Sequence, residues 1–209
     1  MSPVDHDTLA DLARLGAATV YEAGGRGGYV DADLHQILPG SRVAGPARTV
    51  ACTQDSNVMV HAVMETIEAG EILVITMPQP RPVALVGDLL ATQAKAHGAV
   101  GMLVDASVRD VEELEDLGLP IWARWVRVRG AGKDGMGAIG EPVTVGGTAI
   151  RQGDVLVCDA DGVAVVEAER VDEVLAAARA RERHEQVKRE QLAAGALSYD
   201  LDGLRERGA

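Results

Sequence analysis

Apolar residues recur at helical spacing from the start of the chain. Leu9, Leu12 and Leu15 follow Asp5, predicting a short amphipathic helix over residues 5–15 with an acidic N-cap. After Gly16, AATVYEA predicts a second short helix, stopped by GGRGG. VAGPARTVACTQ carries Pro46 between two β-rich halves and predicts a strand, and SNVMVHAVMETIEAG has the spacing of a helix that runs on to Gly70. EILVITM is apolar nearly throughout, the pattern of a strand buried on both faces. Residues 83–97 have helix composition, and Gly98 ends them. VGMLVD (100–105) predicts a strand, VEELEDLG an acidic helix and PIWARWV a further strand. Helix and strand alternating at this pitch argue for crossover units and a largely parallel sheet.

From 126 to 165 the pattern becomes short strands punctuated by glycine (AIGEPVTV, TAIRQG, DVLVCD, GVAVVE), with turns at 146–147 and 159–162. This predicts a β-rich subdomain on the same core. A long helix is expected over 167–192, with Val171, Val174, Leu175 and Ala178 on one face and the charged RARERHEQVKREQ as a solvated remainder. The tail AAGALSYDLDGLRERGA is too apolar in its middle to be a free end and is expected to dock on a protein surface, a neighbouring subunit included.

Composition narrows the class. Aromatic residues make up 2% of the chain and Phe is absent, so the core must be built from Val, Leu, Ile and Ala, which suits layered α/β packing. Lys and Arg number 20 against 32 Asp and Glu, a net charge of −12 that argues against nucleic acid or an acidic membrane surface as partner. The N-terminus lacks the apolar stretch of a secretory signal, and no apolar run approaches a membrane span, so a cytoplasmic protein is expected. Cys52 and Cys158 form no CxxC pair and read as small buried hydrophobes.

Candidate chemistry is sparse. There is no P-loop motif, no GxSxG and no HExxH, and the five histidines show no ligand spacing and read as surface or helix-packing residues. Of the three lysines, Lys95 and Lys188 fall on exposed helix faces. Lys133 lies in a Gly-rich loop with little burial to depress its pKa, a poor Schiff-base candidate. Two strand-end constellations remain. Gly87-Asp88-Leu89-Leu90 precedes a helix whose first free N–H groups could hold a carboxylate. Arg109-Asp110 follows the strand at 100–105, where an Arg can grip a carboxylate and an Asp can bind a hard cation. The alternative is that Asp88 and Asp110 are helix caps and Arg109 their ion-pair partner.

The segment GDLLATQAKAHGAVGMLVDASVRDVEELEDLGLPIWARWV resembles the central block of the RraA-like family, which includes the class II 4-hydroxy-4-methyl-2-oxoglutarate / 4-carboxy-4-hydroxy-2-oxoadipate aldolases. Its pattern is Asp, twenty residues, Arg-Asp, here Asp88, residues 89–108 and Arg109-Asp110. RVAGPARTV, DSNVMVHAVMETIEAGEILVI, GKDGMGAIGEPVTVGGTAIRQGDVLVCDADGVAVV and AAGALSYDLDGLRER extend the resemblance over almost the whole chain. It implies a layered α/β/β/α sandwich of the swivelling phosphohistidine-domain-like type, with a mixed central sheet. Residues 1–166 would form one domain, and the helix and tail of 167–209 would pack on a neighbouring subunit of a homotrimer or hexamer.

The resemblance also implies a reaction: cleavage of 4-hydroxy-2-oxo acids from aromatic-compound degradation to pyruvate and a second oxo acid, with decarboxylation of oxaloacetate. Asp110 would bind Mg²⁺ or Mn²⁺ directly or through its waters, and Arg109 would hold the pyruvyl part of the substrate. Gly87, Leu89 and Leu90 would present backbone N–H groups to the pyruvate carboxylate, and Asp88 would orient a catalytic water. Glu22 and Glu185 stand where the aldolases bring Glu residues from a neighbouring subunit to the metal. Such an ion would act as Lewis acid toward the enolate that both reactions share. The chain departs from the family in carrying Ala106-Ser107-Val108 before the Arg-Asp pair and Trp125 where Gly is usual, a residue expected to narrow the pocket. The same family includes RraA-type regulators that bind and inhibit a ribonuclease. Asp110 and the residues after 167 favour the enzyme.

Overall fold

The computed structural model describes residues 4–207. Helices α1 (His6–Leu15) and α2 (Ala17–Ala23) come first, followed by β1 (His35–Gln36), β2 (Val43–Ala51), α3 (Val58–Val63) and β3 (Ile72–Thr76). Next are β4 (Ala84–Val86), α4 (Asp88–Ala96), β5 (Gly101–Val108), α5 (Val111–Leu117) and β6 (Ile121–Val126). Short strands β7 (Ala138–Ile139), β8 (Val143–Val145) and β9 (Thr148–Ile150) lead to β10 (Val155–Asp159) and β11 (Gly162–Val166). After a 3-10 turn over Ala168–Arg170, α6 (Val171–Ala193), α7 (Ser198–Leu201) and α8 (Leu204–Arg207) complete the described chain.

The main sheet runs β1-β6-β5-β3-β2-β10-β11, with β4 added to β5 and β7 to β2. Strands β2, β3, β5 and β6 are parallel, whereas β10 is antiparallel to both β2 and β11. Strand β2 serves both halves: Val43–Pro46 pair with β10, and Ala47–Ala51 pair with β3. The proline therefore stands where the strand changes partner.

Period-two alternation then builds three cores. On β3, Leu73 and Ile75 face α3, α4 and α5 in one apolar cluster, while Ile72 and Val74 face the opposite way. On β10, Leu156 and Cys158 join Ile72 and Val74, while Val155 and Val157 pack under α1, α2 and α6. The order helices, sheet, sheet, helices is the expected α/β/β/α sandwich, with the apolar cluster of Trp122, Ile150 and Leu156 at its centre. Burial pushes the Cys52 thiol up to about 12 and raises Cys158 further, so both act as small hydrophobes.

Several expectations need correction. Residues 83–97 are not one helix: Val83–Val86 are buried and Ala84–Val86 pair as β4, Gly87 is extended at φ −135°, and only Asp88–Ala96 are helical. The helix expected to reach Gly70 ends at Val63, where Thr66 turns back to the Val63 carbonyl through its N–H (2.9 Å) and hydroxyl (3.1 Å). Among the described residues no helix is long and apolar enough to cross a membrane.

Candidate active site

Twenty residues separate Asp88 from Arg109, and strand pairing closes the gap. Strands β4 and β5 run parallel, with Ala84 opposite Ser107 and Val86 opposite Val108. Their ends therefore present Gly87-Asp88 and Arg109-Asp110 side by side, and Arg109 N donates to Val86 O at 3.2 Å. This is the C-terminal edge of parallel strands, where the loops that leave them form a crevice.

Asp110 occupies the left-handed region at φ 62°, ψ 48°, a conformation costly for a residue with a Cβ. It immediately precedes α5 yet makes no side-chain cap there. Its Oδ2 instead accepts from Asp88 N at 3.3 Å and lies 3.4 Å from Arg109 Nε. Asp110 thus stands at the N-cap position of α5 and pairs with Arg109 without bonding its own helix through the side chain, and the N-cap of α4 is Gly87, not Asp88. Among the described residues no acceptor reaches Leu89 N or Leu90 N, so the first turn of α4 keeps two N–H groups for a ligand.

Two glycines hold Arg109. A Cβ on Gly87 would overlap Asp110 Oδ2 and stand 3.3 Å from Arg109 Nε, and one on Gly130 would stand 2.7 Å from Arg109 Nη1. Gly130 belongs to the segment after β6, which is laid along the site by backbone bonds from Ala84 N to Arg129 O (2.7 Å) and from Ala131 N to Ala84 O (3.2 Å). The same segment carries Lys133. Its ammonium donates to Asn57 Oδ1 at 2.7 Å and contacts His61 Nε2, and Asn57 Nδ2 is anchored on Leu85 O at 2.9 Å. Burial, and then the Lys133 charge, hold His61 below its ordinary pKa, which favours the neutral ring. Together these residues line a cleft of about 210 Å³ with Arg109 and the two aspartates. Asn57, His61 and Gly130 were not foreseen as site residues and Lys133 was weighed only as a poor Schiff-base candidate; His61, expected at the surface or in helix packing, is an exposed residue of α3 that lines the cleft.

Residues 8–165 match the RraA-like family, described as Aldolase/RraA. The chain belongs to the RraA-like family. A Halalkalibacterium halodurans protein named "Putative 4-hydroxy-4-methyl-2-oxoglutarate aldolase" is 33% identical over 147 residues, 70% of this chain and 70% of that one. The structure of an uncharacterized protein from Pseudomonas syringae pv. tomato superposes with a TM-score of 0.84 at 25% identity, covering 94% of this chain and 92% of that chain. Streptomyces coelicolor RraAS2, described as an unusual member of the RNase ES inhibitor RraA protein family, superposes at 0.79 with 29% identity, over 90% of this chain and 98% of its own.

In this RraA-like chain the donor set suits a hard divalent ion. Asp88 and Asp110 reach one cleft, and no group of three or more His, Cys, Asp or Glu gathers among the described residues. Mg²⁺ is commonly held by one or two carboxylates, with water and substrate supplying the rest, whereas a structural zinc site needs four protein ligands. Glu22 and Glu185 lie elsewhere within the chain. Arg181 links them on the α2–α6 face, 2.8 Å from Glu185 and 3.9 Å from Glu22, and neither lines the cleft. Trp125 does not line it either: on β6 it stands opposite Ser107 of β5, and Arg124 lies over its ring at 6.0 Å. Ala106 and Val108 are buried in the apolar core, and Ser107 is fully buried, so this triplet shapes the strand and not the cleft wall.

Proposed function

We propose that this cleft is the active site of a divalent-metal-dependent lyase. Its substrates would be 4-hydroxy-2-oxo acids of the 4-hydroxy-4-methyl-2-oxoglutarate and 4-carboxy-4-hydroxy-2-oxoadipate type, with oxaloacetate decarboxylation as a second activity. The observation that carries the reading is Arg109 seated between Gly87 and Gly130 beside the open first turn of α4 and the two aspartates. The name of the Halalkalibacterium halodurans relative points the same way.

In this reading Leu89 N and Leu90 N take the carboxylate of the pyruvyl part, and Arg109 donates to the 2-oxo oxygen where negative charge develops. Asp110 holds Mg²⁺ or Mn²⁺, which when bound supplies a Lewis acid for the 2-oxo group. Asp88 orients the water that accepts the proton of the 4-hydroxyl as the bond between carbons 3 and 4 breaks. The bonding electrons pass to the enolate of pyruvate, carbon 3 then takes a proton from water, and the second oxo acid leaves. Lys133, steadied by Asn57, offers a cation to the carboxylate of that second half. Glu22 and Glu185 act across a subunit boundary in a homotrimer or hexamer, and the exposed apolar residues Leu197, Leu201 and Leu204 of the tail support burial against another copy.

The test is pyruvate release from oxaloacetate and from 4-carboxy-4-hydroxy-2-oxoadipate, with and without Mg²⁺. Release that requires the ion supports the reading, and no release from either substrate overturns it. Light scattering should report a trimer or hexamer, and a stable active monomer would contradict the shared site. The likeness to RraAS2 favours a second reading, a regulator that binds a ribonuclease. Tight ribonuclease binding by a protein inert toward both substrates would establish it.

A further inference from the structure

The cation distribution at the mouth of the cleft is lopsided for so acidic a protein. Between Leu117 and Lys133 the chain has no acidic residue, yet it carries Arg124, Arg127, Arg129 and Lys133. Elsewhere acids outnumber bases, 32 against 20 overall. Arg124 is neutralised by the buried Asp105, and Lys133 already lines the cleft. Arg127 and Arg129 are different: both are exposed, and neither forms an ion pair among the described residues. Arg127 Nη1 donates only to the carbonyl of its neighbour Val126, at 2.7 Å.

Backbone bonds place these two arginines on the rim. Arg127 N donates to Val108 O at 3.0 Å, one residue before Arg109, and Arg129 O accepts from Ala84 N. Arg127 also lines a shallow hollow shared with Arg109 and Asp110, in which Glu112 and Glu113 supply the opposing charge. Val128, between the two arginines, is 91% exposed, so the segment projects into solvent and does not fold back on an acid. The loop is also tied down on both sides of the projection, by the bonds to Val108 and Ala84. The backbone that carries the two charges is therefore held in place relative to Arg109.

We infer that Arg127 and Arg129 form an electrostatic rim that draws small dianionic oxo acids into the cleft against the repulsion of the whole protein. The inference rests on the lyase reading for its substrate and adds a role for residues that touch neither substrate nor metal. The physical need is plain. At low salt a net charge of −12 repels a dianion at long range, and at ordinary ionic strength only charges within about 10 Å act on it strongly. Attraction must therefore come from cations near the entrance, where field lines are focused and local substrate concentration rises. Such a rim acts before chemistry, so it should affect capture and leave turnover at saturation unchanged.

The experiment compares Arg127→Gln/Arg129→Gln with the unaltered protein on oxaloacetate plus Mg²⁺, at about 10 mM and about 500 mM salt. The control is Arg42→Gln/Arg151→Gln, which changes net charge equally and alters no cleft-lining residue. At low salt the rim variant should lose about 3- to 10-fold in kcat/KM with kcat unchanged. At high salt it should approach the unaltered protein, and the control should show little loss at either salt. Equal losses in rim and control variants would reduce the effect to net charge, and a loss in kcat that survives high salt would make the arginines part of the chemistry. Either result, or no loss at low salt, overturns the inference. Failure of the unaltered protein to release pyruvate would instead overturn the lyase reading, which keeps the two apart.

Discussion

Asp110 directs its carboxylate away from α5, which it precedes, and onto Asp88 N at the head of α4, 3.3 Å away. A left-handed backbone makes this possible, because an ordinary cap geometry would turn the side chain onto the α5 amides. The arrangement ties two strand ends into one unit and leaves Asp110 less than half exposed beside Arg109. A strained residue is retained where the surrounding structure holds it and where its side chain has work elsewhere.

Asp110→Asn tests that work directly. Asn tolerates the left-handed region, so the fold should persist while the carboxylate charge is lost. Turnover should fall by at least about 10- to 100-fold, and the apparent Mg²⁺ affinity should weaken with it. Arg109→Ala should lower kcat and kcat/KM together, as expected for a group acting on charge in the transition state. A chelator should abolish activity reversibly. Near-normal rates in Asp110→Asn would reduce the residue to a structural tie.

Gly87 and Gly130 should tolerate no side chain. A methyl group on Gly130 would stand 2.7 Å from Arg109 Nη1, and one on Gly87 would displace Asp110 Oδ2. Gly87→Ala and Gly130→Ala should leave melting temperature within a few degrees, yet lower kcat/KM by about 10-fold or more, since small misplacements are costly in catalysis. Full activity in both variants would show that the Arg109 slot is not needed.

His61 supplies a pH signature. Burial, chiefly, and the Lys133 charge hold its pKa below the ordinary 6.5. The folded protein therefore binds this proton less readily than the unfolded chain, and the associated stability is complete above 6.5 and is lost as pH falls through the folded value. His61→Gln should be less sensitive to acid over that window in thermal melts. Lys133→Gln should raise the His61 pKa only part of the way to 6.5, because burial remains, and NMR titration of the ring protons reads this. An unchanged His61 titration in Lys133→Gln would rule out the electrostatic coupling.

A fourth expectation concerns α2. Its N-cap, Gly16, has no side chain, and Asp159 at the end of β10 supplies the acceptor instead: Oδ2 takes the Ala17 N–H at 2.9 Å. A Cβ on Gly16 would lie 2.8 Å from that oxygen, so the glycine makes room for the substitute cap. Asp159→Ala should cost about 1–2 kcal/mol in denaturant unfolding, the loss of a cap and a buried acceptor. Asp159→Asn should recover most of it, and equal stability in all three proteins would contradict the account.

Most of the helices and longer strands in their order, the aliphatic core and the spacing of Asp88 from Arg109-Asp110 were legible in the residues themselves. Periodicity is local: alternate residues of β3 and β10 fall on opposite faces whatever their partners are. Strand β4 was not legible, because three buried residues of a run ALV carry no period, and Ala and Leu serve a helix equally well. The site was half visible for a related reason. The residues of the strand-end motifs could be named, but only parallel pairing of β4 with β5 brought them together and aimed Asp110 at Asp88. Gly130 and Lys133 reach the cleft on a loop after β6 that has no regular pattern, and Asn57 and His61 reach it from the start of α3, where helical spacing announced the helix and not the segment it would face. What the sequence determined by itself were the elements and their apolar faces, which depend on neighbours a few residues away. The tertiary structure alone decided which side chains share the cleft, because that depends on contacts between segments 22 to 76 residues apart.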